Sequence, residues 1–172
     1  MELRKATIEE TETAMLLLKE SAEWLKSIRS NQWSDVLQGE DKHGLADAVA
    51  RGEVFFFYNS KNHLVGMVAA WKNPTEWDRL LWKTVGFNKE ACYLHRVIIR
   101  PAYRGKSYGT ELLSALKLEF SGEVSELRLD CLASNQKLKQ FYEKNGFTNS
   151  GSSSDSNGNL FELFLFELTN QS

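Results

Sequence analysis

Between Ala91 and Thr110 the chain carries no acidic residue, yet Arg96, Arg100, Arg104 and Lys106 all fall there. The segment also holds a loop with two glycines, Gly105 and Gly109, after an apolar run that stops at Pro101. A strand end, a glycine turn and a helix start together present free backbone N–H groups and the positive end of a helix dipole, an arrangement that favours bound phosphate. Gly105 and Gly109 let the backbone come close to such a ligand. A solvated basic loop that only caps a helix fits the same residues. The run Arg104-Gly105-Lys106-Ser107-Tyr108-Gly109 is neither GxGxxG nor GxxxxGK[ST], so a dinucleotide fingerprint and a Walker loop are both excluded.

The elements that must position this loop can be read from periodicity. Thr7-x-x-Glu10 has the form of a capping box, and Met15, Leu18, Ala22 and Leu25 follow at helical spacing, which predicts a helix over about 8–28. Asp41 would cap a second short helix that Gly52 ends. Val54 to Tyr58 and His63 to Trp71 read as a hairpin around Asn59–Asn62, and Ala91 to Arg100 as a third long strand. Residues 72–90 read as irregular. A helix carrying Tyr108, Leu112, Leu116 and Phe120 on one stripe follows the loop, then a strand over 126–132 and a helix from Asn135 to Gly146. Two final strands, at 147–148 and 160–168, flank a Ser/Gly/Asn loop over 151–159. The order predicts an α+β fold in one domain, residues 1–172, with one strand–helix–strand crossover in its second half.

Composition bounds the function classes. The 172 residues are 42% apolar and 26% charged, which points to an ordinary globular chain. Twenty-one Lys and Arg against 23 Asp and Glu leave a net charge of −2, which argues against bulk nucleic-acid binding. No apolar run reaches the ~18 residues of a membrane helix, and the N-terminal residues lack the apolar stretch of a signal peptide. Cys92 and Cys131 have no metal-ligand spacing, so no metal is expected and a reducing cytoplasm is the simplest setting.

The segment from Val97 to Leu113 resembles the acyl-CoA motif of the GCN5-related N-acetyltransferases (GNAT), [Q/R]-x-x-G-x-[G/A], met by Arg104 and Gly109 with Ser107 in place of the middle glycine. Leu127 to Cys131 and Phe141-Tyr142-Glu143-Lys144-Asn145-Gly146-Phe147 resemble the family's second conserved block. The resemblance implies a three-layer α/β arrangement: a mixed, mostly antiparallel sheet splayed between its central strands and flanked by helices. It implies acetyl-CoA as cofactor, with the pantetheine arm along Val97, Ile98 and Ile99. The pyrophosphate would sit on the amides of Arg104, Gly105, Lys106, Ser107, Tyr108, Gly109 and Thr110. Asn135 matches the residue that often hydrogen-bonds the pantetheine, and a plain N-cap role fits it as well.

The implied reaction is direct acetyl transfer to an amine, in which an ammonium must lose a proton and a thiolate gains from one. Tyr142 occupies the family's position for the acid; an aromatic packed beside Phe141 is the bland alternative. His95 is the candidate base, because its unperturbed pKa of about 6.5 suits proton removal near neutrality. Strict alternation would put His95 on the face of Val97 and Ile99, and arylalkylamine members of the family carry a histidine there. A hydrogen-bonded core histidine fits too, and Glu23 is the reserve base. Glu23, Trp24, Trp33, Trp77 and Trp82 are the candidate acceptor residues, since aromatic faces can receive an aryl amine or a cation. Asp35 and Asp78 could attract an ammonium.

The expected partner is a small-molecule or peptide amine, with no nucleic acid and no membrane, and homodimers are common in the family. A degenerate module that binds or senses CoA without transfer is the alternative reading.

Overall fold

The computed structural model describes residues 2–30, 33, 36–39 and 44–168. Its strands are β1 (Glu2–Lys5), β2 (Val54–Tyr58), β3 (Leu64–Trp71), β4 (Ala91–Ile99), β5 (Glu126–Leu132), β6 (Thr148–Ser154) and β7 (Leu160–Glu167). Its α-helices are α1 (Thr11–Ser27), α2 (Leu45–Ala50), α3 (Glu76–Trp82), α4 (Tyr108–Phe120) and α5 (Gln136–Lys144). The strands form one mixed sheet in the order β1-β2-β3-β4-β5-β7-β6. β1–β2, β2–β3, β5–β7 and β6–β7 pair antiparallel, while β4 and β5 are parallel. A parallel pair needs a long crossover, and α4 supplies it.

The chain makes two compact units, residues 1–70 with 95–116 and residues 71–94 with 117–172. Each is assembled from two stretches of chain.

In the first unit, α1 buries Ala14, Leu17, Leu18, Ser21 and Ala22, the i, i+3, i+4, i+7, i+8 stripe of an amphipathic helix. Thr7 and Glu10 make the expected capping box, opening a 3-10 turn that leads into α1. β2 is buried from Val54 to Phe57, as a strand covered on both faces must be. In the second unit Leu81, Trp82, Ala91, Tyr93 and Leu163 form a core cluster against which Trp77, Phe161 and Leu165 pack.

Two expectations need correction. Residues 72–90 are not all irregular: Thr75 and Asp78 form a capping box that starts α3, with Thr75 Oγ1 accepting from the Asp78 N–H. The 151–159 loop is also shorter than expected, because β6 extends to Ser154 along β7. The remaining turn is tied by Asp155, whose Oδ1 accepts from the amides of Asn157 and Asn159. The proposed cap Asp41 lies outside the described residues.

β3 passes β4 closely at Gly66, where a Cβ would stand 2.5 Å from the Ile98 carbonyl oxygen and 3.0 Å from Ile99 Cδ1. Backbone gives way less readily than a side chain, so Gly66→Ala is expected to destabilise the protein by about 1–3 kcal/mol. Urea denaturation measures this, and an unchanged midpoint would show that the two strands are not held at that spacing.

Candidate active site

The loop after β4 is built on unusual backbone. Gly105 has φ +77° and Ser107 φ +65°, and the space beside Gly105 where a Cβ would sit is open to 4 Å. Among the described residues, the amides of Gly105, Lys106 and Ser107 reach no backbone acceptor. The first α4 bond of this turn runs from Glu111 N to the Ser107 carbonyl at 3.3 Å, so the amides of Tyr108, Gly109 and Thr110 are the orphan donors of a helix start. A run of outward amides beside open space fits a pyrophosphate.

The basic stretch is less uniform in space than in sequence. Arg100 is held by Glu20 of α1 through a two-pronged pair, Nε to Oε1 and Nη2 to Oε2, both 3.0 Å, and also donates to the Leu64 carbonyl at 3.3 Å. That pairing raises the Arg100 pKa. Arg96 is buried, its guanidinium 4.8 Å from the Trp33 ring centre. Arg104 and Lys106 are exposed. One α1 turn beyond Glu20, Trp24 lies under the Arg104 guanidinium at 3.8 Å. Tyr108 meets Tyr103 edge-on at 6.0 Å, and its hydroxyl accepts from Asn59 Nδ2 at 3.4 Å. α1 and the residues flanking the loop therefore hold it from one side. Glu20 escaped the sequence reading, although its spacing of four from Trp24 was visible.

On β4, Val97 and Ile99 are half-buried, Ile98 is buried and His95 is only 8% exposed. The backbone of Arg96 has φ +51°, which breaks the extended alternation. Face parity therefore does not carry from Val97 across Arg96 to His95, which corrects the expectation that alternation puts the three on one face. Glu23 is exposed on α1.

In the second unit, the Asn135 side chain caps α5 by accepting from Leu138 N at 3.0 Å. Tyr142 on α5 is 4% exposed, with the rings of Phe141, Phe164 and Phe147 centred 5.5, 5.7 and 5.9 Å away. Burial is the main cause that raises its phenol well above the usual tyrosine pKa, with Cys131 and Asp130 adding to it. Its hydroxyl makes no hydrogen bond among the described residues. Cys131 is buried and its thiol is pushed up to about 12, chiefly by desolvation.

The tryptophans divide. Trp82 is fully buried in the core cluster, so the expectation that it lines an acceptor is corrected: no part of it meets solvent. Asp78 is likewise buried, its carboxylate accepting from Thr75 N and Oγ1, which corrects its reading as an ammonium attractor. Trp77 is half-buried; its Nε1 donates to Asp130 at 3.1 Å and its ring meets Phe161 edge-on at 4.9 Å. Asp35 lies outside the described residues. Asp130 was missed because nothing in the sequence around β5 marks it.

The profile of the acetyltransferase (GNAT) family matches residues 18–147. The uncharacterized N-acetyltransferase YesJ of Bacillus subtilis is 35% identical over 166 residues, covering 95% of this chain and 88% of that protein. A GNAT-family acetyltransferase structure from Listeria monocytogenes superposes with a TM-score of 0.78 at 35% identity, over 96% of this chain and 94% of that one. The PaiA N-acetyltransferase of Thermoplasma acidophilum, solved with coenzyme A, shares the fold with a TM-score of 0.63 at 22% identity, over 94% and 96% of the two chains.

Ser107 carries a testable strain. A non-glycine residue in the left-handed region costs roughly 1–2 kcal/mol, whereas glycine adds roughly 0.5–1 kcal/mol of unfolded-state entropy. Ser107→Gly is therefore expected to stabilise the protein by about 0.5–1 kcal/mol in urea denaturation. A loss of stability would mean that the serine hydroxyl secures the turn.

Proposed function

The chain belongs to the acetyltransferase (GNAT) family, and from that premise we propose that it transfers an acetyl group directly from acetyl-CoA to an amine of a small molecule or peptide. Acetyl-CoA supplies an activated thioester whose carbonyl an amine can attack and whose sulfur can leave. Every other contribution comes from the chain's own residues.

Tyr142 carries the reading. A phenol whose pKa is raised by burial stays protonated through the neutral range, so it acts as a donor and never as a base. Its hydroxyl, uncommitted within the described residues, is the group that gives a proton to the departing sulfur. The amides of Gly105 to Thr110 hold the pyrophosphate by hydrogen bonds to backbone, with Arg104 and Lys106 adding exposed positive charge. The backbone at Val97 and Ile99 and the side chain of Asn135 orient the pantetheine arm. His95 takes the proton that the amine must lose, and Glu23 is the alternative acceptor. Trp24 serves the loop through Arg104, while Trp33 and Trp77 remain candidates for the acceptor wall. No helix among the described residues is long and apolar enough to cross a membrane. The two buried free cysteines suit a reducing cytoplasm.

Tyr142→Phe removes the proton and keeps the ring. With acetyl-CoA and a panel of amines, followed by detection of free thiol, kcat is expected to fall about a hundredfold or more while KM for acetyl-CoA changes little. Because the phenol titrates above its ordinary value of about 10, no alkaline loss of native activity below that pH should come from Tyr142. An unchanged kcat removes Tyr142 from the reaction. Native protein that binds CoA yet releases no thiol with any amine supports the non-catalytic module instead.

A further inference from the structure

The connection between β3 and β4 encloses a cavity of about 280 Å³ within the second unit. Its lining includes Arg79 of α3, Phe87 and Lys89 from the segment before β4, and Tyr93 of β4. Three cations line it, Lys72, Arg79 and Lys89, and no Asp or Glu does.

The walls are fixed without a ligand. The Thr75–Asp78 capping box starts α3, and the Arg79 amide donates to the Thr75 carbonyl at 2.9 Å. The segment carrying Phe87 and Lys89 is tied at both ends. Before it, the Gly86 carbonyl accepts from Arg128 Nη1 at 2.8 Å. Within it, Asn88 Nδ2 donates to Ser125 Oγ at 3.1 Å and its Oδ1 accepts from the Glu90 amide at 2.9 Å. Tyr93 is buried, and its hydroxyl accepts from the same Arg128 Nη1 at 3.3 Å. A cavity with such walls is formed before anything enters it.

Its charge is largely uncommitted. Lys72 is already engaged, with Glu123 at 3.7 Å among its contacts. Arg79 and Lys89 are exposed, and among the described residues neither side chain makes an ion pair or a hydrogen bond. Glu76 and Glu90, the carboxylates nearest to them in sequence, are exposed and pair with neither. A guanidinium presents a planar fork of donors that matches two oxygens of a carboxylate or phosphate, and a lysine adds a point charge. Phe87 is 60% exposed, a ring that the apolar body of a ligand would cover. An ammonium is the wrong ligand here, because cations line the cavity and would repel it.

We propose that this cavity binds a small organic anion, a carboxylate or phosphate borne on an apolar body. Arg79 and Lys89 hold the head group, and Phe87 covers the body. The site shares no residue with the loop over 104–110 and does not rest on the transferase reading.

Titration of benzoate, phenyl phosphate and neutral benzamide into the native protein, followed by backbone-amide NMR shifts, tests this. At least one anion is expected to bind about tenfold or more tighter than benzamide, the ratio that about 1.4 kcal/mol gives. The shifts should fall within 72–93, and the tighter of the two anions identifies the head group. Added salt should weaken that binding, and excess coenzyme A should leave its Kd within about threefold. Arg79→Gln and Lys89→Gln replace exposed side chains, and each should raise the Kd about fivefold or more. Four results overturn the proposal: no saturable shift with either anion, benzamide binding as tightly as both, shifts confined to 105–110 or abolished by coenzyme A, or an unchanged Kd in the folded double variant. The first three need only the native protein.

Discussion

A buried arginine stands where the β4–β5 pairing stops. Arg128 is 4% exposed at the last rung of the parallel ladder, and a charge so placed is costly unless it is paired and hydrogen-bonded. Its Nε donates to Glu126 at 2.6 Å, and its Nη1 donates to the Gly86 carbonyl at 2.8 Å and the Tyr93 hydroxyl at 3.3 Å. The guanidinium also lies 4.6 Å from the Trp82 ring centre and 5.6 Å from that of Tyr93. These partners come from β4, β5 and the segment between α3 and β4, so one side chain ties three stretches of chain together. Among the described residues, β5 from Leu129 onward pairs only with β7. Cys131 and Asp130 can then serve opposite faces, one beside Tyr142 and one beside Trp77.

The loop over 104–110 rests on a second device, in the other unit. Glu20 and Trp24 are one turn apart on α1, and they engage Arg100 and Arg104 on either side of the 3-10 turn at Pro101–Tyr103. The pair fixes the start of the loop without using its amides. Electrostatics therefore divides between two tasks: Arg100 is held by Glu20, and the loop's backbone N–H groups are left for the proposed pyrophosphate.

Much of this was legible beforehand, for definite reasons. The Thr7–Glu10 box, the α1 stripe and the β2–β3 hairpin follow from short-range rules, and the structure has all three. The glycine loop stood out by its acid-free basic stretch, and the resemblance of two blocks gave it and Tyr142 their proposed roles, since neither a lone glycine motif nor a helix aromatic is specific by itself. What was misread depends on contacts between distant residues. Trp82 and Asp78 looked available because their burial comes from β4, β7 and a cap that no periodicity displays. His95 was assigned a face by counting in twos, and a single positive φ at Arg96 breaks that count. Asp130 sits 53 residues from the indole that marks it.

The central claim is that the amides of Gly105 to Thr110 are held ready for a pyrophosphate. Hydrogen–deuterium exchange of the native protein with and without coenzyme A tests it directly. The account predicts that added coenzyme A slows exchange across 105–110 more than in the exposed β6–β7 turn at 155–159. Slowed exchange elsewhere with no change at 105–110 would contradict it.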